Sequence, residues 1–523
     1  MSSAATRFAS LPEMLNNLSY SIINRDLLRN LCLVNKRFKS AFAPSLYEEV
    51  WFRAHNTSFL MEKLPLLLGN QALRYTQKID LAISLHSRKS DEQGKGVLCD
   101  FYNQSIQALL SKMPQLNCFR WEYVPLYTTT LATLQQNCPN LRTLVIHHPE
   151  DIEEILGISY DFNWDHDLKE RRPLFAFQDL GVLSGLTTIE VSNIHGDLEI
   201  TRKGLVQTLL NSPSLKTLAL SISGFTVFRL WKVNTRFSCQ QYQNFLDQLC
   251  RDFFDAGGKP LQLQKLVLGL SIIPWGSGDC LRRLTNLVCL EDVYIFNEEY
   301  ETALTFSDDD DYIAWSLLTP ENCPNLTNVG AYRLTKSVER WIGSLTEGFI
   351  KQFNTEWATE EGVAALKWDT DDTQTRSAAK LRSLTFNVNI TWDMSDLEQL
   401  PVVNVEKLQA LSAVIVHSTP EHQTGILEWL SRAKDLEQLF FAERCCANIP
   451  ANTNSQPDNE GFEYKLARQC KKLRYLRLDQ NAWRITRYDP AASGLDIQFE
   501  RLDRFETRLI EEFQPRMIFR EDW

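Results

Sequence analysis

The feature that most constrains the fold is a short frame, Leu-x-x-Leu-x-Leu, which returns along most of the chain. The segment Asn-Cys-Pro-Asn-Leu opens it at residues 137–141 and again at residues 322–326. The last two apolar positions of each frame alternate with a period of two, which predicts a short strand with one buried face. Further frames, complete or with other apolar residues, occur at Leu116/Phe119/Trp121, Leu186/Ile189/Val191, Leu215/Leu218/Leu220, Leu263/Leu266/Leu268, Leu290/Val293/Ile295, Leu381/Leu384/Phe386, Leu411/Val414/Val416, Leu436/Leu439/Phe441 and Leu473/Leu476/Leu478.

Segments with helical periodicity lie between many of the predicted strands, at residues 205–210, 242–254 and 426–430. A strand and a helix at a repeating interval indicate parallel strands with helices packed behind them. One such unit cannot bury its apolar face alone, so the units are expected to stack into a solenoid. The frames resemble the leucine-rich-repeat family, which implies an α/β fold with parallel strands and with helices on the convex side.

The predicted solenoid covers residues 53–480 and contains insertions. The interval between frames varies from 25 residues (116 to 141) to 55 residues (326 to 381). A terminal repeat needs a cap with a polar outer face. Residues 481–523 are predicted to form a C-terminal helical cap, because apolar residues recur there at helical spacing, at Phe499, Leu502, Leu509 and Phe513.

Cysteines precede three of the predicted strands, at Cys138, Cys323 and Cys470, and Ser212 takes the equivalent place in another frame. In the cysteine-containing class of these repeats, such a cysteine packs in the core as a small apolar residue. We therefore expect packing, and no redox or metal role, for these thiols.

The N-terminal residues 8–52 carry a different pattern, with apolar stripes typical of a small all-helical module. A module of this size is near the lower limit for folding unaided. Residues 11–18 are Leu-Pro-Glu-Met-Leu-Asn-Asn-Leu, and residues 26–40 are Asp-Leu-Leu-Arg-Asn-Leu-Cys-Leu-Val-Asn-Lys-Arg-Phe-Lys-Ser. These two segments resemble an F-box of the fungal style.

The resemblance implies that the module binds the Skp adaptor of a cullin–RING ubiquitin ligase, and the cullin through that adaptor. An alternative is that the helices only cap the solenoid. That alternative leaves the order of the elements unexplained, because a leading F-box followed by leucine-rich repeats is a common architecture of substrate receptors. The residues that the resemblance places on the adaptor are Leu11, Pro12, Leu15, Leu18, Leu28, Leu31, Val34 and Phe38.

The net charge of −11 argues against nucleic acid or an anionic membrane surface as the main partner. Phosphate binding needs a basic footprint, which the composition does not supply. The sequence contains no recognisable secretory signal and no apolar run of membrane-spanning length. The 12 cysteines are therefore expected to be reduced thiols. We expect the protein to reside in the cytoplasm or the nucleus.

A search for a nucleophile with its base, a metal set or a phosphate-binding loop finds no catalytic motif. Neither Gly-x-x-x-x-Gly-Lys-Ser/Thr nor Cys-x-x-Cys occurs, and the adjacent Cys445 and Cys446 do not have zinc-ligand spacing. We expect no enzyme activity, no cofactor and no metal. A hydrolase or transferase with an unrecognised site is a further alternative.

A protein target is expected on the concave face of the solenoid, which the residues alternating with the core leucines would line. Aromatic residues occupy four such positions, Tyr294, Phe296, Tyr332 and Phe440. They are candidates for target binding, because aromatic side chains are enriched at the hot spots of protein interfaces. The alternative is that an inserted loop covers them.

The acidic charge is concentrated between Glu298 and Asp372, where 16 acidic and 5 basic residues occur. The densest run is Asp308, Asp309, Asp310 and Asp311. Such a run is usually a solvated loop. The second hypothesis is a surface that attracts a basic segment of the target.

Together, these patterns predict the substrate-recognition subunit of a Skp–cullin–F-box E3 ubiquitin ligase, a subunit without catalytic activity of its own. The alternative is a non-catalytic leucine-rich-repeat interaction scaffold that assembles no ubiquitin ligase.

Overall fold

The chain divides into two compact units. The first contains residues 1–262 with 283–285, and the second contains residues 263–282 with 286–523. The predicted repeat region is therefore divided between two units. The structure is a computed structural model and describes residues 14–15, 18–19, 25–54, 57–83, 92–122, 126–148, 177–194, 198–222, 245–269, 272, 279–295, 315–333, 338, 341, 350–357, 383–386, 406, 408–414, 419–442, 461–478, 481–487 and 496–502.

The first unit joins an N-terminal pair of helices to six parallel strands. The helices are α1 (Arg25–Val34) and α2 (Lys36–Leu46). The strands are β1 (Glu49–Ala54), β2 (Lys78–Ile83), β3 (Cys118–Glu122), β4 (Thr143–His147), β5 (Thr188–Ile194) and β6 (Thr217–Ile222), each parallel to the next. The other helices of the unit are α3 (Thr57–Leu68), α4 (Glu92–Leu110), α5 (Thr128–Asn137), α6 (Leu198–Leu210) and α7 (Phe245–Asp255), with 3-10 turns at Gln71–Tyr75 and Phe177–Val182. Strand β1 begins at Glu49, so the repeats start inside the segment that the sequence assigns to the N-terminal module.

The second unit contains eight parallel strands followed by an antiparallel pair. The parallel strands are β7 (Lys265–Leu268), β8 (Asp292–Ile295), β9 (Asn328–Arg333), β10 (Gln352–Trp357), β11 (Ser383–Phe386), β12 (Ala410–Val414), β13 (Gln438–Ala442) and β14 (Tyr475–Leu478). Helix α8 (Asp279–Leu284) lies at the boundary of the units. Helices α9 (Pro420–Leu430) and α10 (Phe462–Gln469) and 3-10 turns at Leu287–Cys289 and Trp315–Leu317 complete the described elements between these strands.

Where the structure describes the side chains of the frames, their apolar positions form the core, as the alternation predicts. The frame predicted at Leu411/Val414/Val416 needs correction, because Leu411 is in register with Leu384 and Leu439, the second apolar residues of their frames, so that the buried Leu408 opens this repeat. In β3, Phe119 and Trp121 are buried, while the residues on either side of them are half-buried. Phe119 is opposite Leu144 of β4 in the register. The register extends this row through Ile189 to Leu218, and all four side chains are fully buried. Such rows of apolar side chains across consecutive parallel strands give each unit a leucine-rich-repeat-like α/β fold.

The three cysteines predicted to pack in the core are buried, which confirms their packing. The Cys138 Sγ atom lies 3.7 Å from the Met113 carbonyl oxygen, and the Cys470 Sγ atom lies 3.8 Å from the Leu430 carbonyl oxygen. Burial raises the pKa of Cys138 and of Cys470 to about 12, so both thiols stay protonated at neutral pH. Ser212 plays the related role with its hydroxyl, which accepts a hydrogen bond from the Leu186 amide at 3.2 Å.

The predicted C-terminal helical cap is wrong for the part of residues 481–523 that the structure describes. That part forms strands β15 (Asn481–Arg487) and β16 (Ile497–Arg501), and β15 runs antiparallel to both β14 and β16. Ile497 and Phe499 are buried and alternate with exposed residues, so the local period is two and favours a strand. Leu502 follows the strand and is buried, while Leu509 and Phe513 lie outside the described residues.

The guanidinium of Arg487 fastens this antiparallel pair to the last helix. It donates hydrogen bonds to the carbonyl oxygens of Leu473, Ala467 and Cys470, at 2.6, 2.8 and 2.9 Å. The last carbonyls of a helix lack intrahelical partners. Arg487 therefore satisfies acceptors at the end of α10 that would otherwise need water.

Replacing Arg487 with Ala should destabilise the second unit by about 2 kcal/mol, because three carbonyl oxygens lose a charged donor. The matched control is Arg484→Ala on the same strand. Arg484 forms an ion pair with Glu500 at 3.0 Å, and the side chain of Glu500 is 55% exposed. An exposed pair of this kind contributes at most about 1 kcal/mol. Urea unfolding measures both variants, and an equal loss of stability in both would contradict the role assigned to Arg487.

Candidate functional site

The N-terminal helical module, residues 14–46, is built around the junction between α1 and α2. Asn35 separates the two helices and caps α2, because its side-chain oxygen accepts a hydrogen bond from the Phe38 amide at 2.9 Å. An asparagine at this position satisfies an amide that has no partner within the helix. The cap lets the chain turn between Val34 and Lys36, so that the two helices pack against each other.

The module has a small apolar core of its own. Its buried members are Leu15, Leu28, Ala41 and Phe42. Phe38 packs against this core, with its ring centroid 5.6 Å from that of Phe42. Leu31, Cys32 and Leu46 also pack against the core and are half-buried.

The structure divides the residues that were expected on the adaptor into three groups. Leu15 and Leu28 lie in the core of the module, at 1% and 3% exposure, and Leu31 and Phe38 support that core. For Leu15 and Leu28 the expectation needs correction, because helix packing within the module already uses their apolar surface. Leu18 and Val34 are exposed, at 37% and 59%. Leu11 and Pro12 lie outside the described residues.

The module exposes five large apolar side chains, a set that we call the apolar docking surface. Leu33 is 77% exposed, the highest value among the exposed large apolar side chains of the described residues. The sequence interpretation missed Met14, Leu27 and Leu33. The helical period could have identified Leu27, because Leu28 and Leu31 share the inner side of α1 whereas Leu27 and Val34, two turns apart, share another side. The members are Met14, Leu18, Leu27, Leu33 and Val34.

Arg25 joins this module to the first strand of the repeats. Its Nη2 atom donates a hydrogen bond to the Glu49 carbonyl oxygen at 2.6 Å, and its guanidinium lies 5.5 Å from the centroid of the Trp51 ring. Strand β1 is the terminal strand of the sheet, and an uncovered edge strand is a template for unwanted pairing. The module therefore also contacts one end of the sheet.

On the repeat side, Tyr294 is not a surface aromatic. It is 3% exposed, and its ring lies over Gly330, the residue beside it in the register of β8 and β9. A Cβ atom on Gly330 would lie 2.3 Å from Cδ1 of Tyr294, so only glycine leaves room for the ring. The Nζ atom of Lys265 lies 5.5 Å from the ring centroid. Burial raises the pKa of the Tyr294 hydroxyl, and the nearby Asp292 carboxylate adds to that effect.

Phe440 is half-buried and partly covered by a neighbour. The guanidinium carbon of Arg477, its register partner on β14, lies 4.5 Å from the ring centroid. Tyr332 lies in β9, but its side chain is outside the described residues, as is all of Phe296. The acidic run Asp308, Asp309, Asp310 and Asp311 also lies outside them. The described residues therefore bring together only Phe440 and its arginine as a partly accessible aromatic site.

Three features bear on other classes of function. Among the described residues, no group of three or more His, Cys, Asp or Glu side chains could hold a metal ion. The cysteine side chains that the structure describes carry free thiols. No described helix is both long enough and apolar enough to cross a bilayer.

Comparison with known proteins does not identify a family for this chain. A scan against models of protein families and a search of curated proteins both find no match. Among solved structures, the chain is similar to one described as the crystal structure of the TLR13–ssRNA13 complex, with 14% sequence identity and a TM-score of 0.26. The similarity covers 77% of this chain and 44% of that chain, so this chain spans less than half the length of that protein. A likeness this loose says nothing about partners.

Replacing Gly330 with Ala should destabilise the second unit by about 1–3 kcal/mol, because the new methyl group forces the buried Tyr294 ring to move. In a Tyr294→Ala background the same substitution should cost little, since the obstructing ring is gone. The control is Gly69→Ala, where the nearest atom to the new Cβ is the Leu66 carbonyl oxygen at 3.5 Å. Urea denaturation gives the four values. Equal costs of Gly330→Ala in both backgrounds would refute the packing of the ring on this glycine.

Proposed function

We propose that this protein is the substrate-recognition subunit of a Skp–cullin–F-box ubiquitin ligase. The helical module would bind the Skp adaptor, and the repeats would bind a protein target. The single observation that carries the proposal is the apolar docking surface on residues 14–34, in the segment whose sequence resembles an F-box. The module uses Leu15 and Leu28 for its own core and still exposes five large apolar side chains.

The energetics of exposed apolar surface support a partner at this position. Burying an exposed leucine or valine side chain is favourable by about 1.5–3 kcal/mol. Contiguous exposed apolar groups on a soluble protein are typical of interaction sites. Leu33 and Val34 are adjacent and are 77% and 59% exposed, so a partner that covers α1 near its end gains most from these two.

In this role the chain would catalyse no reaction. It would hold a target lysine near the charged ubiquitin-conjugating enzyme and so raise its effective concentration. The adaptor contact would then attach the chain to the ligase, and the repeats would determine which target protein is presented. The target is expected to be a protein, and the hypothesis of a basic segment in it is retained for the acidic run at residues 308–311.

A second candidate function is that of an interaction scaffold whose N-terminal helices only cap the repeats. The contact of Arg25 with Glu49 and Trp51 favours it, since it covers the terminal strand. A cap, however, needs a polar outer side. The exposure of Leu33 and Val34 is unexplained by capping, which is why the adaptor-binding function is preferred.

The test is adaptor binding by the full chain carrying Leu33→Ala and Val34→Ala. We expect affinity for a purified Skp adaptor to fall by at least about 2 kcal/mol, or roughly 30-fold, with unchanged thermal stability, because both side chains are exposed in the free protein. Biolayer interferometry measures the affinity, and addition of the cullin should then give a ternary complex with the wild-type chain and less of that complex with the Leu33→Ala, Val34→Ala variant at the same concentration.

The matched control carries Met61→Ala and Leu66→Ala on α3. These two side chains are 48% and 67% exposed, comparable to the pair on α1. The control should bind the adaptor as the wild-type chain does. Absence of adaptor binding by the wild-type chain would sink the proposal and favour the scaffold. Surface variants are preferable to deletion of residues 1–52, because the deletion also removes Arg25 and the start of β1.

A further inference from the structure

A basic rim lies beside the apolar docking surface, on a chain that is acidic as a whole. Residues 25–46, which comprise helices α1 and α2 and the residue between them, contain five basic residues and one acidic residue. This segment is therefore positively charged, whereas the net charge of the whole chain is −11. All five basic residues are exposed. Arg25 contacts β1, and the other four, Arg29, Lys36, Arg37 and Lys39, form the rim. None of these four forms an ion pair with a carboxylate whose side chain the structure describes.

The rim is contiguous with the apolar surface along the chain. Arg29 lies one helical turn before Leu33 on α1, and Lys36 and Arg37 follow Val34 after the single residue Asn35. Glu48 and Glu49, which follow α2 in the chain, form no described ion pair with the rim. Glu49 is half-buried and pairs with Lys78 at 2.6 Å, and Glu48 is half-buried.

The position of the rim is unfavourable for the isolated module. Lys36, Arg37 and Lys39 occupy the start of α2, whose first turn contains no acidic residue. The start of a helix carries partial positive charge from its amides and is stabilised by anions, so cations there repel it. Sequences depart from such electrostatic preferences mainly at functional sites, where a binding partner offsets the unfavourable energy. Carboxylates on a partner would meet both the helix amides and the three side chains.

We infer that the partner of the helical module presents an acidic protein surface around an apolar groove, and that opposite charges speed its association with the basic rim. The inference rests on the proposed function, since it takes the occupant to be the Skp adaptor. The apolar groove would receive Leu33 and Val34, and the acidic groups would face Arg29, Lys36, Arg37 and Lys39. Charge complementarity of this kind mainly raises the association rate and makes it sensitive to salt.

The experiment measures association of the full chain with a purified Skp adaptor by stopped flow, at low and at high salt. The test variant carries Lys36→Gln, Arg37→Gln and Lys39→Gln. It should associate about tenfold more slowly than wild type at low salt and converge with it at high salt, where charges are screened. The dissociation rate should change little. A charge-keeping variant, with Lys36→Arg, Arg37→Lys and Lys39→Arg, should associate at the wild-type rate.

The matched control removes the same charge elsewhere, through Arg432→Gln, Lys434→Gln and Lys471→Gln in the second unit, where all three residues are exposed. It should keep the wild-type rate. Equal association by the test variant and wild type would overturn the inference and leave the proposed function standing, and so would equal slowing by test and control variants. No adaptor binding by any form would reject both.

A second arm uses vesicles that contain phosphatidylserine, because a basic face beside apolar residues could also bind an anionic membrane. No binding of the wild-type chain to these vesicles is the expected result. Binding that is lost in the test variant and kept in the control would assign the rim to a lipid surface and overturn the inference.

Discussion

The burial of apolar rows between consecutive strands is the interaction on which the rest of the structure depends. A single strand and helix cannot shield the leucines of one frame from water, so each repeat is stable only beside its neighbour. In the first unit the row from Phe119 to Leu218 is continuous across four strands and fully buried. The first strand, β1, has a neighbouring strand on one side only. Arg25 of the N-terminal module contacts this strand at Glu49 and Trp51.

The N-terminal module combines two demands that compete for the same apolar residues. To fold, it buries Leu15, Leu28 and Phe42 in its core. In the proposed function it also keeps a surface for a partner, and Leu33 and Val34 are the most exposed apolar side chains of that surface. The basic residues after Val34 add a cost at the start of α2. The proposed adaptor would offset both features by covering the apolar side chains and facing the positive charges.

Much of the fold could be predicted from the sequence, because its signals are local. The frames at residues 116–121, 141–146 and 473–478 predict strands by alternation alone, and strands are observed there. The sequence pattern could not decide between a helix and a strand near the C-terminus. Phe499 and Leu502 have a helical spacing, whereas Ile497 and Phe499 have the spacing of a strand. Only the pairing of β16 with β15 decides between these periods. The buried position of Tyr294 likewise depends on Gly330, which is 36 residues away in sequence.

The candidate site was predicted at the level of the segment but not of the side chain. The motif locates the helices, yet burial of Leu15 and exposure of Leu33 depend on how α1 and α2 pack. Hydrogen–deuterium exchange of the full chain, with and without a purified Skp adaptor, tests the central claim most directly. The account predicts that the adaptor slows exchange in residues 25–46 and leaves the strands of the second unit unchanged. Slower exchange confined to the repeats, or no change anywhere, would contradict it.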